Sequence, residues 1–361
     1  MPVDLSRCVP PPQGSGLRTL IVGAGRSGRG LHLRGLERAR ATCSEPLFAE
    51  QRPLAVDPSP LARELASEQY GADVREALHT VDHLDPDLTV VHVCTPPVGR
   101  AAVLSTLGER GYRKVLVEKP LATSLHELQE IEKLAAAWDL RLGVVSPWLA
   151  SSLTYRLQEL LGDGVVGQVR RLAMYQHKPR FTRTLDGVLH PTAFDVEVPH
   201  AVSLALVLCG SKAIVTDAAC HDMVIDAIVV PHLGCARLHL EHATGVVTDI
   251  HSDLTAPIRR RTVRVEGDEG ALTAYYSIDS DDHYVQLARA SHAVRHAREV
   301  FYDEPFPRML IEWYRGFAGT APMPVSDFAF NRRVVEILSA AKLLAGIVTG
   351  ERLAVEEAMQ R

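Results

Sequence analysis

From Leu17 to Ser146 the chain alternates short apolar runs with stretches whose apolar residues recur at helical spacing. The runs Leu17–Gly23, Leu54–Asp57, Thr89–Thr95, Lys114–Glu118 and Arg141–Ser146 are short and uniformly apolar, the pattern of strands buried on both faces. Helical patterns at Ser27–Arg38, Pro60–Gly71, Arg100–Gly111 and Ser124–Asp139 separate them. Strands and helices in this alternation describe a doubly wound parallel sheet.

After Trp148 the pattern changes. Helices are expected at Ser152–Leu161 and Val198–Leu208, and most of the rest reads as strands. These are Gln168–His177, Ile225–His232, Cys235–His242, Val246–Asp253, Thr262–Glu266, Leu272–Tyr276, Tyr284–Ala288 and Glu299–Tyr302. In Cys235–His242, Ala236, Leu238 and Leu240 alternate with Arg237, His239 and Glu241, the period of a half-buried strand. Gly234-Cys235 and Thr244-Gly245 are expected hairpin turns, and Ser326 the N-cap of a long closing helix. The result is a large, open, mostly antiparallel sheet with few helices to cover it. An uncovered apolar face predicts a homodimer or homotetramer.

Composition narrows the class. The chain has 361 residues, of which 46% are apolar and 23% charged, and a formal charge of -5. This suits a two-domain globular protein and gives no electrostatic reason to expect nucleic acid or an anionic membrane as partner. No stretch approaches the ~18 uninterrupted apolar residues of a membrane helix. The N-terminus lacks a basic region followed by an apolar one, and the six cysteines show no C-x-x-C pair, so a cytoplasmic protein with reduced thiols is expected. His232, His239, His242 and His251 lack ligand spacing, and no metal site is expected.

The chemistry begins at Gly23-Ala24-Gly25-Arg26-Ser27-Gly28, a G-x-G-x-x-G directly after a strand and opening a helix. The first glycine allows the tight turn, the second lets a pyrophosphate approach the backbone, and the third lets helix and strand pack closely. That context makes the N-terminal sheet a Rossmann domain and the cofactor a nicotinamide dinucleotide. Asp57, ending the second strand, is placed to accept hydrogen bonds from the adenosine ribose and to repel a 2′-phosphate. NAD(H) is therefore favoured. Arg26 and Arg52 could offset the repulsion, which leaves NADP(H) open. Glu118-Lys119-Pro120 ends the fourth strand, at the edge where open α/β sheets bind ligands, and Lys119 there can relay a proton.

The segments IVGAGRSG, LAVDPSPLARELASEQYG, VHVCTPP, VLVEKPLATSLHELQEI, VEGDEGAL and FNRRVVEILSAAKLLAG together resemble the Gfo/Idh/MocA oxidoreductases. The resemblance implies a Rossmann domain followed by an α/β domain whose open sheet often forms the oligomer interface. It also implies a bound NAD(P) and hydride transfer at a sugar, cyclitol or related small-molecule substrate. Lys119 matches the family's active-site lysine, and Thr95 and Pro96 match its loop against the cofactor. Glu118 belongs to the same cofactor-binding element, with Gly23, Gly25, Arg26, Ser27, Gly28 and Asp57.

The chain also departs from the family. Pro97 and Arg100 stand where it usually has asparagine and histidine. His200 fits the family histidine of the second domain, but Val196 and Ser203 occupy the flanking carboxylate positions. Glu197, one turn before His200, is the substitute expected to orient it as the proton-transfer residue. Those departures leave two alternatives beside a sugar or cyclitol dehydrogenase: reduction of a C=N or C=C bond in a specialised pathway, and a dinucleotide-binding regulator without turnover. The expected boundaries are a disordered tail at 1–16, the Rossmann domain at 17–147, and a substrate-binding and oligomerisation domain at 148–361.

Overall fold

The computed structural model describes residues 16–81, 83–187, 190–278, 282–291 and 297–347. Apart from Gly16, the expected tail lies outside the described residues. By spatial contact the chain forms two units. One comprises residues up to Leu121, Gln129–Pro147 and Phe306–Phe330, and the other holds Ala122–Leu128, Trp148–Pro305 and the residues from Asn331.

The first unit opens with β1 (Arg18–Val22), followed by a wide helical turn over Gly28–Leu33 that runs into α1 (Arg34–Thr42). Next come β2 (Leu54–Val56), α2 (Pro60–Tyr70) and β3 (Asp73–Arg75). Ser59 caps α2 through its hydroxyl, Pro60 fills the first turn, and Gly71 closes it in the left-handed region. The series continues with β4 (Thr89–Val93), α3 (Arg100–Glu109), β5 (Lys114–Val117), α4 (Leu125–Ala137) and β6 (Arg141–Val144). The six strands are parallel in the order β3-β2-β1-β4-β5-β6, the dinucleotide-binding arrangement. Every residue of β4 is buried, which is why it shows no alternation in sequence. The loop between α1 and β2 packs too: the Leu17 amide donates to Leu47 (2.8 Å), and Ala49 donates back to Leu17 (3.0 Å).

The second unit begins with α5 (Ser152–Gly162), β7 (Val169–His177), α6 (Phe181–Leu185) and α7 (Val198–Cys209). Its strands continue as β8 (Ala213–Ile225), β9 (Ile228–His242), β10 (Val247–Asp253), β11 (Arg260–Gly267), β12 (Gly270–Tyr275), β13 (Tyr284–Ser291) and β14 (Ala297–Tyr302). The eight strands lie in the order β14-β13-β12-β11-β7-β10-β9-β8. Only the β7–β10 pairing among them is parallel. The expected fold class, a parallel Rossmann sheet followed by a mostly antiparallel open sheet, is what the chain adopts.

Details differ from expectation. Gly234-Cys235 is no turn but lies within β9; the hairpin turns instead at Asp226-Ala227, where Asp226 has φ 53°. Gly234 is needed for another reason: a Cβ there would sit 2.1 Å from the Asp222 carbonyl oxygen, beside an irregularity in the β8–β9 register. The turn at Thr244-Gly245 is where it was expected, with Gly245 at φ 81°.

Two helices end the described chain. Helix α8 (Pro305–Ala318) was missed by pattern, although its Trp313 and Tyr314 are fully buried in the first unit. Helix α9 (Phe328–Leu344) is capped by Asp327, which accepts from the Phe330 amide (2.9 Å). The expected cap, Ser326, instead donates to the Val144 carbonyl (2.7 Å).

The outward face of the open sheet is not the apolar surface expected. Asp249 on β10 accepts from Arg171 of β7 and pairs with His239 of β9 (2.7 Å), and Arg264 pairs with Glu266 along β11 (2.7 Å). Exposed apolar side chains gather toward its margins, with Val224, Ile228 and Val229 at the β8–β9 tip and Val300 and Tyr302 on β14.

Candidate active site

In the first unit the carboxyl ends of β1, β2, β4 and β5 bring the predicted cofactor residues together. Gly23 turns out of β1 with φ 95°, its amide donating to Val56 (2.8 Å). A Cβ on Gly28 would lie 1.9 Å from the Gly23 carbonyl oxygen, so only glycine lets the helix start this close to the strand. A Cβ on Gly25 would meet nothing within 4 Å, so its backbone faces open space, as a cradle for pyrophosphate requires. Asp57 accepts from the Ala24 amide (2.8 Å) and from the Ser59 amide (2.8 Å). Two bonds leave part of a carboxylate's four acceptor positions for a ribose. Arg26 and Pro96 are exposed at the rim. The Thr95 hydroxyl is buried with no hydrogen-bond partner among the described residues, the mark of a group waiting for one. These features fit a dinucleotide.

Beneath that loop lies Glu118, with only 8% of its surface exposed. Its Oε1 accepts from the Ser27 hydroxyl and from His32 Nε2 (3.1 Å), and its Oε2 accepts from the Lys119 amide (3.2 Å). Burial alone would raise its pKa, but His32, Lys119 and Ser27 outweigh burial and hold it at about 2. The network extends inward. His32 Nδ1 meets His92 Nδ1 (3.0 Å), His92 Nε2 meets the Tyr314 hydroxyl (3.2 Å), and that hydroxyl meets Thr19 Oγ1 (2.6 Å).

The second unit holds Glu197 and His200. Glu197 stands at the N-cap position of α7 without capping it. Its Oε1 takes a salt bridge from Lys178 (2.9 Å) and its Oε2 accepts from Gln176 of β7. His200 lies in the first turn of α7, its amide bonded to the Glu197 carbonyl (3.2 Å). Its ring stacks on Trp148 (5.9 Å, 12°), which stacks in turn on Tyr276 (4.8 Å, 8°). The neighbouring Asp195 is wholly buried and paired with Lys342 of α9 at 2.5 Å. Tyr175 and His177 lie on the opposite face of β7 from Gln176, with Arg260 4.1 Å over the Tyr175 ring. His242, expected on a solvated strand face, is instead buried and bonded to Gly210 and Thr248 (2.9 Å each).

Residues 17–146 match the family model of the Gfo/Idh/MocA proteins, described as an oxidoreductase family with an NAD-binding Rossmann fold. That match spans the first domain. No curated protein matches the chain significantly in sequence. Among solved structures, the chain is similar to KijD10, a 3-ketoreductase from Actinomadura kijaniata in complex with NADP and TDP-benzene. That likeness has 16% identity and a TM-score of 0.76, covering 91% of this chain and 98% of the other. A levoglucosan dehydrogenase in complex with NADH and levoglucosan gives 16% identity and a TM-score of 0.77, over 92% and 98% of the two chains. An oxidoreductase from Agrobacterium radiobacter in complex with NAD+, L-tartaric acid and magnesium gives 12% and 0.71, over 92% and 97%. At such identities the likeness is one of fold.

Where the chain departs from the usual Gfo/Idh/MocA pattern, the structure gives the substitute a task. Arg100 is buried, and its guanidinium donates to the carbonyls of Thr95 (3.1 Å), Leu121 (3.0 Å) and Pro120. It ties the Thr95-Pro96 loop to the Glu118-Lys119-Pro120 loop. The sequence reading missed Arg100's clasp, the His32–His92–Tyr314 chain and the Lys178 and Lys342 partners. Only His32 carried a local signal, four residues beyond the last glycine of the motif.

Proposed function

We propose that the chain is an NAD(P)-dependent oxidoreductase acting at a secondary alcohol or ketone carbon of a sugar, cyclitol or related small metabolite. One observation carries the reading: an open glycine cradle, an unpartnered buried Thr95 hydroxyl and a fixed Glu118-Lys119 corner converge at the carboxyl edge of one parallel sheet. The bound nicotinamide accepts or donates the hydride. Asp57 recognises the ribose hydroxyls and favours NAD(H). Thr95 and Pro96 border the cofactor, and Lys119 anchors its nicotinamide side.

His200 takes or returns the proton of the substrate oxygen, which an alcohol–ketone interconversion requires. Glu197 sets its surroundings, with one oxygen held by Lys178 and the other by Gln176. The neighbouring folds, solved with NADP, NADH or NAD+ and a small molecule, support this reading.

The test is nicotinamide absorbance on mixing the protein with NAD or NADP and a panel of sugars, polyols and sugar acids. Turnover of a hydroxylated substrate is expected. Cofactor binding with no turnover on any of them would turn the reading toward C=N or C=C reduction, or toward a silent regulator. Val196 and Ser203, standing in place of the usual carboxylates, favour that second reading.

Assembly as a homodimer or homotetramer through the open sheet belongs to the same proposal, supported by the apolar side chains exposed at its margins. Light scattering that finds a monomer at micromolar concentration would overturn it. A cytoplasmic setting is supported by Cys43, Cys94, Cys209, Cys220 and Cys235, all free thiols, and fractionation of the source cells tests it.

A further inference from the structure

We propose that His32 is a positioning residue for the dinucleotide site, kept in one tautomer by His92 and Tyr314 so that its Nε2–H fixes the Glu118 carboxylate beneath Ser27 and the Lys119 amide. This rests on the cofactor reading above. The deduction follows from donors and acceptors. An ionised carboxylate only accepts, so His32 Nε2 carries the hydrogen in the 3.1 Å contact with Glu118. A neutral His32 ring then has a bare Nδ1, which accepts from His92 Nδ1–H at 3.0 Å. That leaves His92 Nε2 bare, and it accepts from the Tyr314 hydroxyl at 3.2 Å. The Tyr314 oxygen accepts in turn from Thr19 Oγ1–H at 2.6 Å. Every bond points the same way, toward Glu118. Each donates a hydrogen its group already owns, so the chain closes without a charged histidine.

Burial keeps His92 in the neutral form that this arrangement needs. His32, His92 and Tyr314 are all fully buried, and burial above all holds His92 well below the usual histidine range. A charged His92 is therefore excluded at neutral pH. A charged His32 would have to donate to His92, reversing every bond back to Thr19. The groups facing Glu118 are Ser27 of the glycine loop, His32 of the turn after it, His92 of β4, Cys94 just beyond that strand, and Lys119 beside it. The Cys94 thiol is pushed well up by burial and stays neutral. Take His32 away and the buried carboxylate loses the strongest of the contacts that oppose burial, so its pKa climbs. Glu118 then protonates and releases Ser27 and Lys119 as pH falls.

The experiment is NADH titration by fluorescence on the whole chain, with thermal unfolding of each variant alongside. The parent is expected to bind NADH with an affinity that is flat from about pH 6 to about pH 9. His32→Leu is expected to bind about tenfold more weakly or worse, with the loss growing as pH falls. His32→Gln keeps an N–H donor within reach of Glu118 but cannot titrate, and should bind within about threefold of the parent. A folded His32→Leu protein that binds like the parent at every pH overturns the proposal. If His32→Leu does not fold, ¹⁵N spectra of histidine-labelled parent decide. Nε2–H on His32 with Nδ1–H on His92 supports the proposal, and the opposite tautomers or a doubly protonated His32 overturn it. A parent that binds neither NADH nor NADPH overturns the cofactor reading, and this inference falls with it.

Discussion

The two units bury carboxylates by opposite means. In the first, Glu118 is held by hydrogen bonds from a hydroxyl, a backbone amide and an imidazole, with the charge of Lys119 nearby also lowering its pKa. In the second, Asp195 and Glu197 each hold a lysine, Lys342 at 2.5 Å and Lys178 at 2.9 Å. A lysine pair holds a carboxylate by opposite charge. A histidine chain holds one by the direction in which its hydrogens point. The first unit thus fixes its buried carboxylate by oriented hydrogen bonds, while the second fixes its carboxylates by ion pairs.

The sharpest way to break this contrast is to remove a lysine. Lys342→Met leaves Asp195 buried and unpaired, and should destabilise the second unit by about 3–5 kcal/mol in urea unfolding. The double change with Asp195→Asn should recover much of that loss. A single-variant cost under about 1 kcal/mol would mean the pair is not the fixed element described here.

Next in size are the reacting groups. Once a substrate is known, Lys119→Ala and His200→Ala should each lower turnover by about 10²-fold or more, with cofactor affinity nearly kept. A His200→Ala protein with parental turnover would remove the proton-transfer role from the second unit. Smaller again is cofactor choice. The parent should bind NAD(H) more tightly than NADP(H) in calorimetry, and Asp57→Ala should narrow the gap by about tenfold, ~1.4 kcal/mol. Equal binding of both cofactors by the parent would sink the Asp57 assignment.

The smallest effect is the dependence of stability on pH. His92 has its pKa lowered by burial, so the unfolded chain takes up a proton there before the folded one does. Its contribution is present above the ordinary histidine value of about 6.5 and is lost as pH falls below that value. Glu118, lowered from 4.5 to about 2, adds a second loss at lower pH, beginning near 4.5. Melting temperature should therefore drop by a few degrees between about pH 7.5 and about pH 5.5, and His92→Phe should flatten that part of the curve. An unchanged slope in His92→Phe would place the titrating group elsewhere.

The sheet of the first unit was legible because parallel strands buried on both faces leave apolar runs that helices punctuate. The glycine loop was legible because its chemistry is local. The His32–His92–Tyr314 chain was not, because its members are 60 and 222 positions apart and meet only when α8 packs back. Nor was Lys342, which reaches Asp195 across 147 residues. In the second unit, Gly234 misled because a glycine needed for close approach looks in sequence like a glycine needed for a turn. Asp226, a poorer turn signal, was passed over for the same reason.

The wide turn at Gly28–Leu33 also sets the phase of the helix that follows it. Arg34 donates back to Arg29, five residues earlier, where a regular α-helix would reach only four. One residue more or less in a regular helix rotates everything beyond it by about 100°. The bulge absorbs that residue, so Gly28 still packs on Gly23 at one end while Gly35, Leu36 and Ala39 still face inward at the other. His32 sits inside the bulge, on the length that has been taken up. The local irregularity is the means by which one side chain is aimed independently of the two helical segments that flank it.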